Sequence, residues 1–443
     1  MKNYDTAVIG GGPAGRACAE KLAAAGVRTA LVEKSAPGGR AVNSGYFISK
    51  VLISAGERYG AEAPHHLQDL VAGRKKRAQS SWRSDLEEAG VKIYRGEASI
   101  PAAGRVEIAG EDELELEVEN IVLATGSRPV SPLAFSRAES QRIITYEEVM
   151  AGNWLEVESV AIVGADVEGT EFASLYDRLG AGVTMIEQKE RILPNTDGEI
   201  AKFMRENYDE RGIEIETSNT VEDFEKREDK LLLELEGGHI ETEVLILTGA
   251  QKPVLPDLGA DLELDFDEEG FISRDSRMQT SQPGILAAGD VVGGMSSASA
   301  AMSEGRVAAG TILGEKTEID YLHIPYVFFS TPRVTGIGLR EEDVRGEDRF
   351  AALSLTFAHN LRALAAGEEE GLARLIIDEM EGTVVGAHLA GEGLEEVHGL
   401  LAAAVQEEIQ LQRLAEMPLA QSHTFGDNKK NLPPLWRQRS LMR

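Results

Sequence analysis

Two segments of the chain share a strand, glycine turn, helix and strand, and this pattern limits the folds that the chain can adopt. The first segment contains TAVIGGGPAG and the strand TALVEK, and the second begins at Val160 with VAIVGADVEGTEFASLYDRLGAGVTMIEQ. A strand that ends on a glycine and opens into a helix is typical of a dinucleotide-binding unit. Because the pattern occurs twice at wide separation, we expect two α/β (Rossmann-like) dinucleotide-binding domains.

The first glycine turn has the spacing of a phosphate-binding turn. Gly10 permits the tight turn, Gly12 lets a pyrophosphate approach the backbone, and Gly15 lets the helix pack closely against the sheet. The helix N-terminus then offers N–H groups to phosphates. Glu33 closes the second strand, where a carboxylate can bind the ribose hydroxyls of an adenosine.

Composition excludes several classes of protein. The 443 residues predict two or three domains, and no apolar run approaches the roughly 20 residues that a membrane-spanning helix needs. The start, MKNYDTAVIGGG, enters a strand almost at once, so we expect no signal peptide and a cytoplasmic protein. The net charge of −30 argues against nucleic-acid binding and against anionic membranes. It predicts solubility, with adaptation to a saline interior as the alternative.

Cysteine and histidine usage excludes an internal disulfide and gives no metal spacing. Cys18 is the one cysteine and lies in a small-residue helix, where a thiol usually packs in the core. The adjacent His65 and His66 diverge on a helix, and no CxxC or HExxH pattern occurs, so we expect no metal.

Two further segments give the chain a family resemblance. ATGSRP (124–129) and TSQPGILAAGD (280–290) each end a strand. With these segments in this order, the chain resembles the pyridine nucleotide–disulfide oxidoreductases, which include dihydrolipoamide dehydrogenase, glutathione reductase and mercuric reductase. The resemblance runs from Tyr4 to about Ser422.

The resemblance implies that FAD binds the first unit and that Asp290 contacts its ribityl chain. The residues that we expect to bind FAD are Gly10, Gly12, Pro13, Ala14, Gly15, Glu33, Lys34, Gly39, Arg40, Ala124, Thr125, Gly126, Gly289 and Asp290.

Three domains are expected. Residues 1–147 and 251–318 form a discontinuous FAD-binding domain, and residues 148–250 form an NAD-binding-like domain. Residues 319–443 form an α+β interface domain, with strands at VTGIGL, AALSLTF and LARLIIDEMEGTVVGAHLAG and one long helix, GLEEVHGLLAAAVQEEIQLQRLAEM. The resemblance implies a homodimer formed through this domain. The basic tail KKNLPPLWRQRSLMR is either a solvated end or a docking segment for an acidic partner.

The redox chemistry of the family is missing from the loop GGRAVNSGYFISK (38–50). The family pattern is GGTCxNxGCxPSK, so Ala41 replaces the distal cysteine and Tyr46 the flavin-proximal one. Thiol–disulfide exchange needs a thiolate, so the chain cannot perform it unless another protein supplies the sulfur.

The C-terminal acid–base motif of the family is missing too. The stretch that matches HPxxxE reads MPLAQS, so Met417 replaces the histidine and Ser422 replaces the glutamate. Neither side chain can do the proton-transfer work of that pair. His423 is a nearby substitute to consider.

Three residues remain as catalytic candidates. Lys50 matches the family lysine beside flavin N5, and Glu171 matches the glutamate paired with it. The pair either stabilises reduced flavin or serves folding alone. Tyr46 either fills the old disulfide space, stacks on the flavin or hydrogen-bonds a substrate.

The second glycine turn departs from the phosphate-binding pattern at one position. Gly164 and Gly169 are present, but the middle glycine is Asp166. A carboxylate about 4 Å from a phosphate costs roughly 1–4 kcal/mol, which weakens binding about ten- to several-hundred-fold. Glu187, at the end of the next strand, favours NAD over NADP. Either NADH still binds this unit, or the unit survives as a scaffold.

Three functions are compatible with these observations. The leading hypothesis is an FAD-dependent NADH oxidoreductase that reduces a quinone or another small acceptor directly, as family relatives without the cysteines do. The second is a structural or partner-dependent flavoprotein. The third is a flavin enzyme that takes electrons from another donor.

Overall fold

In the computed structural model, residues 1–131, 140–359 and 361–417 are described. They separate into two compact units. The first unit combines Met1–Glu156 with Leu247–Tyr321, and the second combines Val157–Ile246 with the segment that begins at Leu322. The division into three domains stays a prediction.

Strands and helices alternate in the two segments that contain the glycine turns, whereas runs of consecutive strands lie elsewhere in the described chain. The strands are β1 (Lys2–Asn3), β2 (Thr6–Ile9), β3 (Thr29–Glu33), β4 (Lys92–Arg95), β5 (Glu97–Ala102), β6 (Arg105–Ala109), β7 (Leu114–Glu117), β8 (Asn120–Leu123), β9 (Ser127–Pro129), β10 (Ile143–Thr145), β11 (Ser159–Val163), β12 (Gly182–Glu187), β13 (Glu214–Thr217), β14 (Val221–Lys226), β15 (Leu231–Leu235), β16 (Gly238–Thr242), β17 (Val244–Leu247), β18 (Gln251–Pro253), β19 (Asp257–Leu258), β20 (Ile285–Ala287), β21 (Tyr326–Phe328), β22 (Arg333–Gly338), β23 (Phe350–Thr356), β24 (Gly371–Asp378) and β25 (Thr383–Gly391). The helices are α1 (Pro13–Ala24), α2 (Gly39–Asn43), α3 (Tyr46–Tyr59), α4 (Pro64–Glu88), α5 (Tyr146–Met150), α6 (Val167–Leu179), α7 (Gly198–Glu210), α8 (Ala298–Ile312), α9 (Leu361–Ala366), α10 (Glu395–Gln406) and α11 (Leu411–Glu416).

The first unit is built on a parallel sheet of strand order β20-β8-β2-β3-β4. Side chains of a strand alternate between the two faces of its sheet. Ala7 and Ile9 of β2 therefore join a core shared with the second sheet, β1-β7-β6-β5-β19, whereas Val8 joins a core with α1 and α8. The predicted doubly wound, layered fold of this unit is confirmed. The carboxyl ends of its central strands face the first glycine turn, which positions the candidate site.

The second unit contains a parallel sheet, a three-stranded antiparallel sheet and a five-stranded antiparallel sheet. In the parallel sheet, β11 pairs with β12 and β12 with β13, and β17 lies beside β11. The five-stranded sheet has the order β21-β22-β25-β24-β23, and its core includes Val397 and Leu401 of α10. The predicted strand pair around DEMEGT is confirmed, because β24 and β25 pair as antiparallel neighbours. The α+β character of this region follows from that sheet and α10.

The prediction of a single long helix after β25 is wrong. The chain leaves the helical conformation after Gln406, and Glu408 has a φ of +48°. Val384 then donates its N–H to the Ile409 carbonyl at 3.1 Å, and Gln410 bridges Thr383. The segment between α10 and α11 is interrupted because it pairs with the start of β25, which the helical periodicity of the sequence does not reveal.

Within the described residues, the helices include none that is both long and apolar enough to cross a membrane.

Candidate functional site

The first glycine turn is shaped by two close backbone approaches. Gly10 has a φ of +104°, and a Cβ added to it would lie 2.3 Å from the Ala124 carbonyl oxygen. A Cβ on Gly15 would lie 1.9 Å from the Gly10 carbonyl oxygen. Both glycines are therefore required by the packing of the turn against β8 and α1.

Gly12 differs from these two glycines. A Cβ added to Gly12 would have the Gly39 Cα as its nearest neighbour, at 3.9 Å, which is an ordinary contact distance. The polypeptide thus leaves room beside Gly12, at the N-terminus of α1, where an anion is favoured by the backbone N–H groups. Pro13 and Ala14 begin α1. Gly39, predicted from its family position, lies beside this turn.

Glu33 is held in place by backbone donors. One of its carboxylate oxygens accepts the Gly11 N–H at 2.8 Å, and the other accepts the Ser35 N–H at 2.8 Å and the Ser35 hydroxyl at 3.0 Å. The side chain is buried, whereas the following Lys34 is exposed. The carboxylate therefore keeps a fixed position at the end of β3, beside the glycine turn.

Arg40 and Asp290, which are 250 positions apart, form an ion pair of 3.0 Å within the first unit. Arg40 also donates to the Gln251 side chain, which accepts the Ser127 hydroxyl at 3.2 Å and donates to the Tyr146 hydroxyl at 3.3 Å. Sequence reasoning found Arg40 and Asp290 but missed the other three residues. Pairing of β9 with β18 brings Ser127 next to Gln251, and Tyr146 reaches Gln251 from the start of α5.

The turn after β8 contains an unpartnered polar atom. The Thr125 hydroxyl oxygen is buried and has no hydrogen-bond partner among the described residues. Gly126 follows with a φ of +75°, and its carbonyl accepts the Val254 N–H at 2.9 Å. A buried hydroxyl without a partner is costly, so this position suits a ligand that carries a polar group.

The loop that lacks the family cysteines forms two helices. Ala41 lies within α2, and Tyr46 is the first residue of α3, with 49% of its surface exposed. Lys50 lies one helical turn after Tyr46 and is half-buried. Cys18 lies in α1 with no exposed surface, and burial raises the pKa of its thiol to about 12. Such a thiol is inert at neutral pH.

The second glycine turn repeats the geometry of the first. Gly164 has a φ of +94°, and a Cβ on Gly169 would lie 1.8 Å from the Gly164 carbonyl oxygen. The buried Glu187 accepts the Ala165 N–H at 2.7 Å and the Lys189 N–H at 2.9 Å. This carboxylate therefore occupies the same position at the end of β12 that Glu33 occupies at the end of β3.

Asp166 is the point at which the two turns differ. It is the N-cap residue of α6, and its carboxylate accepts the Val167 N–H at 3.0 Å and the Asn195 side-chain amide at 2.9 Å. Burial raises the pKa of this carboxyl despite both hydrogen bonds. An anion of the chain itself thus lies at the helix N-terminus, where the equivalent Gly12 leaves space. Sequence reasoning missed Asn195.

Glu171 is buried on α6, and its carboxylate accepts the Phe329 N–H at 2.9 Å. Lys50 belongs to the first unit and Glu171 to the second, so their pairing stays a prediction. Met417 is the last residue described, and Ser422, His423 and the basic tail lie outside the described residues.

Comparisons with known proteins agree with this geometry. A family profile described as pyridine nucleotide-disulphide oxidoreductase matches residues 4–305, and one described as the dimerisation domain of the same family matches residues 324–425. The dihydrolipoyl dehydrogenase of Chlamydia trachomatis serovar D is 31% identical over 428 residues, covering 92% of this chain and 91% of that protein.

Two solved structures share the fold. LpdA from Mycobacterium tuberculosis has a TM-score of 0.86 at 23% identity and covers 100% of both chains. A Cu(II) complex of the HOCl-induced flavoprotein disulfide reductase RclA from Escherichia coli has a TM-score of 0.84 at 24% identity, covering 95% of this chain and 96% of that one. The expected fold is therefore confirmed, and the chain belongs to the pyridine nucleotide-disulphide oxidoreductase family of flavoenzymes.

Proposed function

We propose that the protein is an FAD-dependent oxidoreductase that passes electrons between NADH and a small acceptor without a disulfide relay in its own chain. The observation that carries this proposal is the absence of cysteine from the loop at residues 38–50. Ala41 and Tyr46 stand at the family cysteine positions, and the one thiol, Cys18, is fully buried in α1. Electrons must then reach the acceptor directly, so a quinone or another small oxidant is the expected substrate class.

The first unit has the features that FAD requires. Gly12 leaves room for a pyrophosphate beside the backbone. Glu33 is held where its carboxylate can accept hydrogen bonds from ribose hydroxyls. The buried Thr125 hydroxyl has no partner among the described residues and can form a hydrogen bond with FAD. Asp290 and Gly289 would hold the ribityl side, with Arg40 beside them. FAD, when bound, supplies two-electron redox chemistry.

The chain's own residues would set the reactivity at this site. Lys50 carries a cationic ammonium one helical turn into α3, which favours negative charge developing nearby. The exposed face of Tyr46 would pack against the acceptor and keep water away from it.

The second unit would bind the nicotinamide donor. Gly164, Gly169 and Glu187 support a dinucleotide, and the Glu187 carboxylate favours a free 2′-hydroxyl and so NADH over NADPH. The dimerisation-domain match supports a homodimer.

A second candidate function is favoured by Asp166. Its carboxylate lies at the N-terminus of α6 with two hydrogen bonds, where it would repel a pyrophosphate. In that case the protein binds FAD but takes electrons from another donor or acts through a partner protein.

Anaerobic stopped-flow mixing distinguishes the two candidates. The purified protein is mixed with NADH or NADPH, and the visible absorption of oxidised flavin is followed. The proposal predicts loss of that absorption with NADH, faster than with NADPH, and its recovery when a quinone is added. If neither nucleotide reduces the flavin while dithionite does, the second candidate is correct. Sustained oxidation of dihydrolipoamide by the isolated protein would contradict both.

A further inference from the structure

One buried carboxylate of the first unit contacts the FAD-binding turn but belongs to none of the motifs described above. Glu304 lies on α8 with 2% of its surface exposed. One of its carboxylate oxygens accepts the Gly289 N–H at 2.6 Å. Gly289 has a φ of +81° and directly precedes Asp290, so Glu304 fixes the backbone from which the Asp290 side chain extends.

The other carboxylate oxygen is held by a chain of donors. The Tyr321 hydroxyl donates to it, and Arg274 donates to the Tyr321 oxygen at 2.5 Å. The guanidinium carbon of Arg274 lies 5.6 Å from the Tyr321 ring centroid. Each oxygen of this buried carboxylate therefore has a donor, which offsets the desolvation that raises the pKa of Glu304.

The neighbouring glycine brings α8 against the first glycine turn. A Cβ on Gly305 would lie 2.1 Å from the Ala14 carbonyl oxygen, and a Cβ on Gly289 would lie 2.9 Å from the Ala14 Cβ. Consecutive residues of α8 thus contact both halves of the candidate FAD site. Gly305 packs on the start of α1, and Glu304 binds the turn before Asp290.

We propose that Glu304 is a positioning residue for FAD, acting through the Gly289–Asp290 turn and held in its rotamer by Tyr321. The inference rests on the proposed binding of FAD to the first unit. Without the carboxylate, the Gly289 N–H loses its acceptor and the Gly289–Asp290 turn becomes more mobile. The Asp290 side chain then spends less time in the conformation that contacts the ribityl chain. Tyr321 contributes through the same carboxylate, so its removal has a smaller effect.

The test measures FAD affinity in the apoprotein by quenching of flavin fluorescence. Glu304→Gln leaves one acceptor oxygen for two donors, and we expect FAD binding about 10- to 100-fold weaker. Tyr321→Phe leaves the Gly289 contact in place, and we expect about 3- to 10-fold weaker binding. The control Glu315→Gln removes a partly exposed partner of Lys21 just beyond α8 and should not change affinity. Thermal unfolding of each apoprotein checks that the variant folds. If Glu304→Gln does not fold, the FAD affinity of Tyr321→Phe tests the inference in its place.

A double-mutant cycle with Asp290→Asn separates positioning from general stabilisation. If Glu304 acts through Asp290, the Glu304→Gln effect on FAD affinity shrinks at least threefold in the Asp290→Asn background. Two results would overturn this inference and leave the proposed function standing. One is additive effects of Glu304→Gln and Asp290→Asn on FAD affinity. The other is unchanged FAD affinity in both Glu304→Gln and Tyr321→Phe while the parent protein binds FAD. A parent protein that binds no FAD would overturn the proposed function and the inference with it.

Discussion

The side-chain amide of Asn195 donates to the Asp166 carboxylate at 2.9 Å, and this bond fixes an anion at the N-terminus of α6. At the equivalent place in the first unit, Gly12 leaves the N-terminus of α1 open. The chain thus contains two glycine turns of the same geometry. In the first, the helix N-terminus has space for an anion, and in the second, the Asp166 carboxylate takes that space. This difference within one molecule sets the first prediction.

Asp166→Gly should strengthen NADH binding by about ten- to several-hundred-fold, because it removes the carboxylate that repels pyrophosphate. Glycine is a tolerable N-cap, so the variant should lose only a few tenths of a kcal/mol of stability. Titration of nucleotide fluorescence against the parent and the variant measures the change. The reciprocal variant Gly12→Asp should weaken FAD binding in the first unit. Equal NADH affinity in parent and Asp166→Gly would contradict the repulsion argument.

Gly15→Ala should abolish FAD binding. Its new Cβ would lie 1.9 Å from the Gly10 carbonyl oxygen, so α1 must shift away from the glycine turn. Gly73→Ala is the matched control, because nothing lies within 4 Å of a Cβ there and alanine stabilises a helix interior by about 1 kcal/mol. The flavin content of the purified variants, with thermal unfolding of each, gives the comparison. Full flavin content in Gly15→Ala would show that the turn is not the FAD site.

Arg40→Met should weaken FAD binding by about 5- to 30-fold, because the Asp290 carboxylate loses the partner that neutralises it and fixes its position beside the expected ribityl chain. The exposed pair of Arg105 and Glu115 offers the control, since Arg105→Met breaks an ion pair of the same unit at 3.3 Å that surface screening makes weak. Equilibrium FAD titration at two salt concentrations provides the measurement. An effect of equal size in both variants would point to net charge rather than to the Arg40 pair.

Cys18 should be unreactive in the folded protein, since burial raises the pKa of its thiol to about 12. A chromogenic disulfide reagent at pH 8 should therefore label no thiol in the native state and one thiol after denaturation. Cys18→Ala should retain electron transfer from donor to acceptor, at a cost of about 1 kcal/mol in stability from the smaller side chain. Rapid native labelling, or loss of turnover in Cys18→Ala with normal flavin content, would show that a thiol takes part.

The sequence alone determined the order of the units, the glycine turns and the carboxylates that close their second strands. These features are local: a tight turn needs Gly10, a close helix needs Gly15, and Glu33 follows them at a fixed distance along one supersecondary unit. The missing cysteines are also a purely local observation, since Ala41 and Tyr46 need only to be aligned with a pattern. The expected helix after β25 failed because pairing with Thr383 overrode the helical pattern of the segment.

Tertiary structure alone decided which distant residues act together. Arg40 on α2, Gln251 on β18 and the Asp290 side chain meet through hydrogen bonds between elements that are far apart in the chain, and no spacing in the sequence records this contact. Glu304 lies in an unremarkable alanine-rich helix, and its role becomes visible only where α8 crosses the turn before Asp290. Hydrogen-bond partners of buried polar groups are selected by packing in three dimensions, whereas turns and caps are selected by neighbours along the chain.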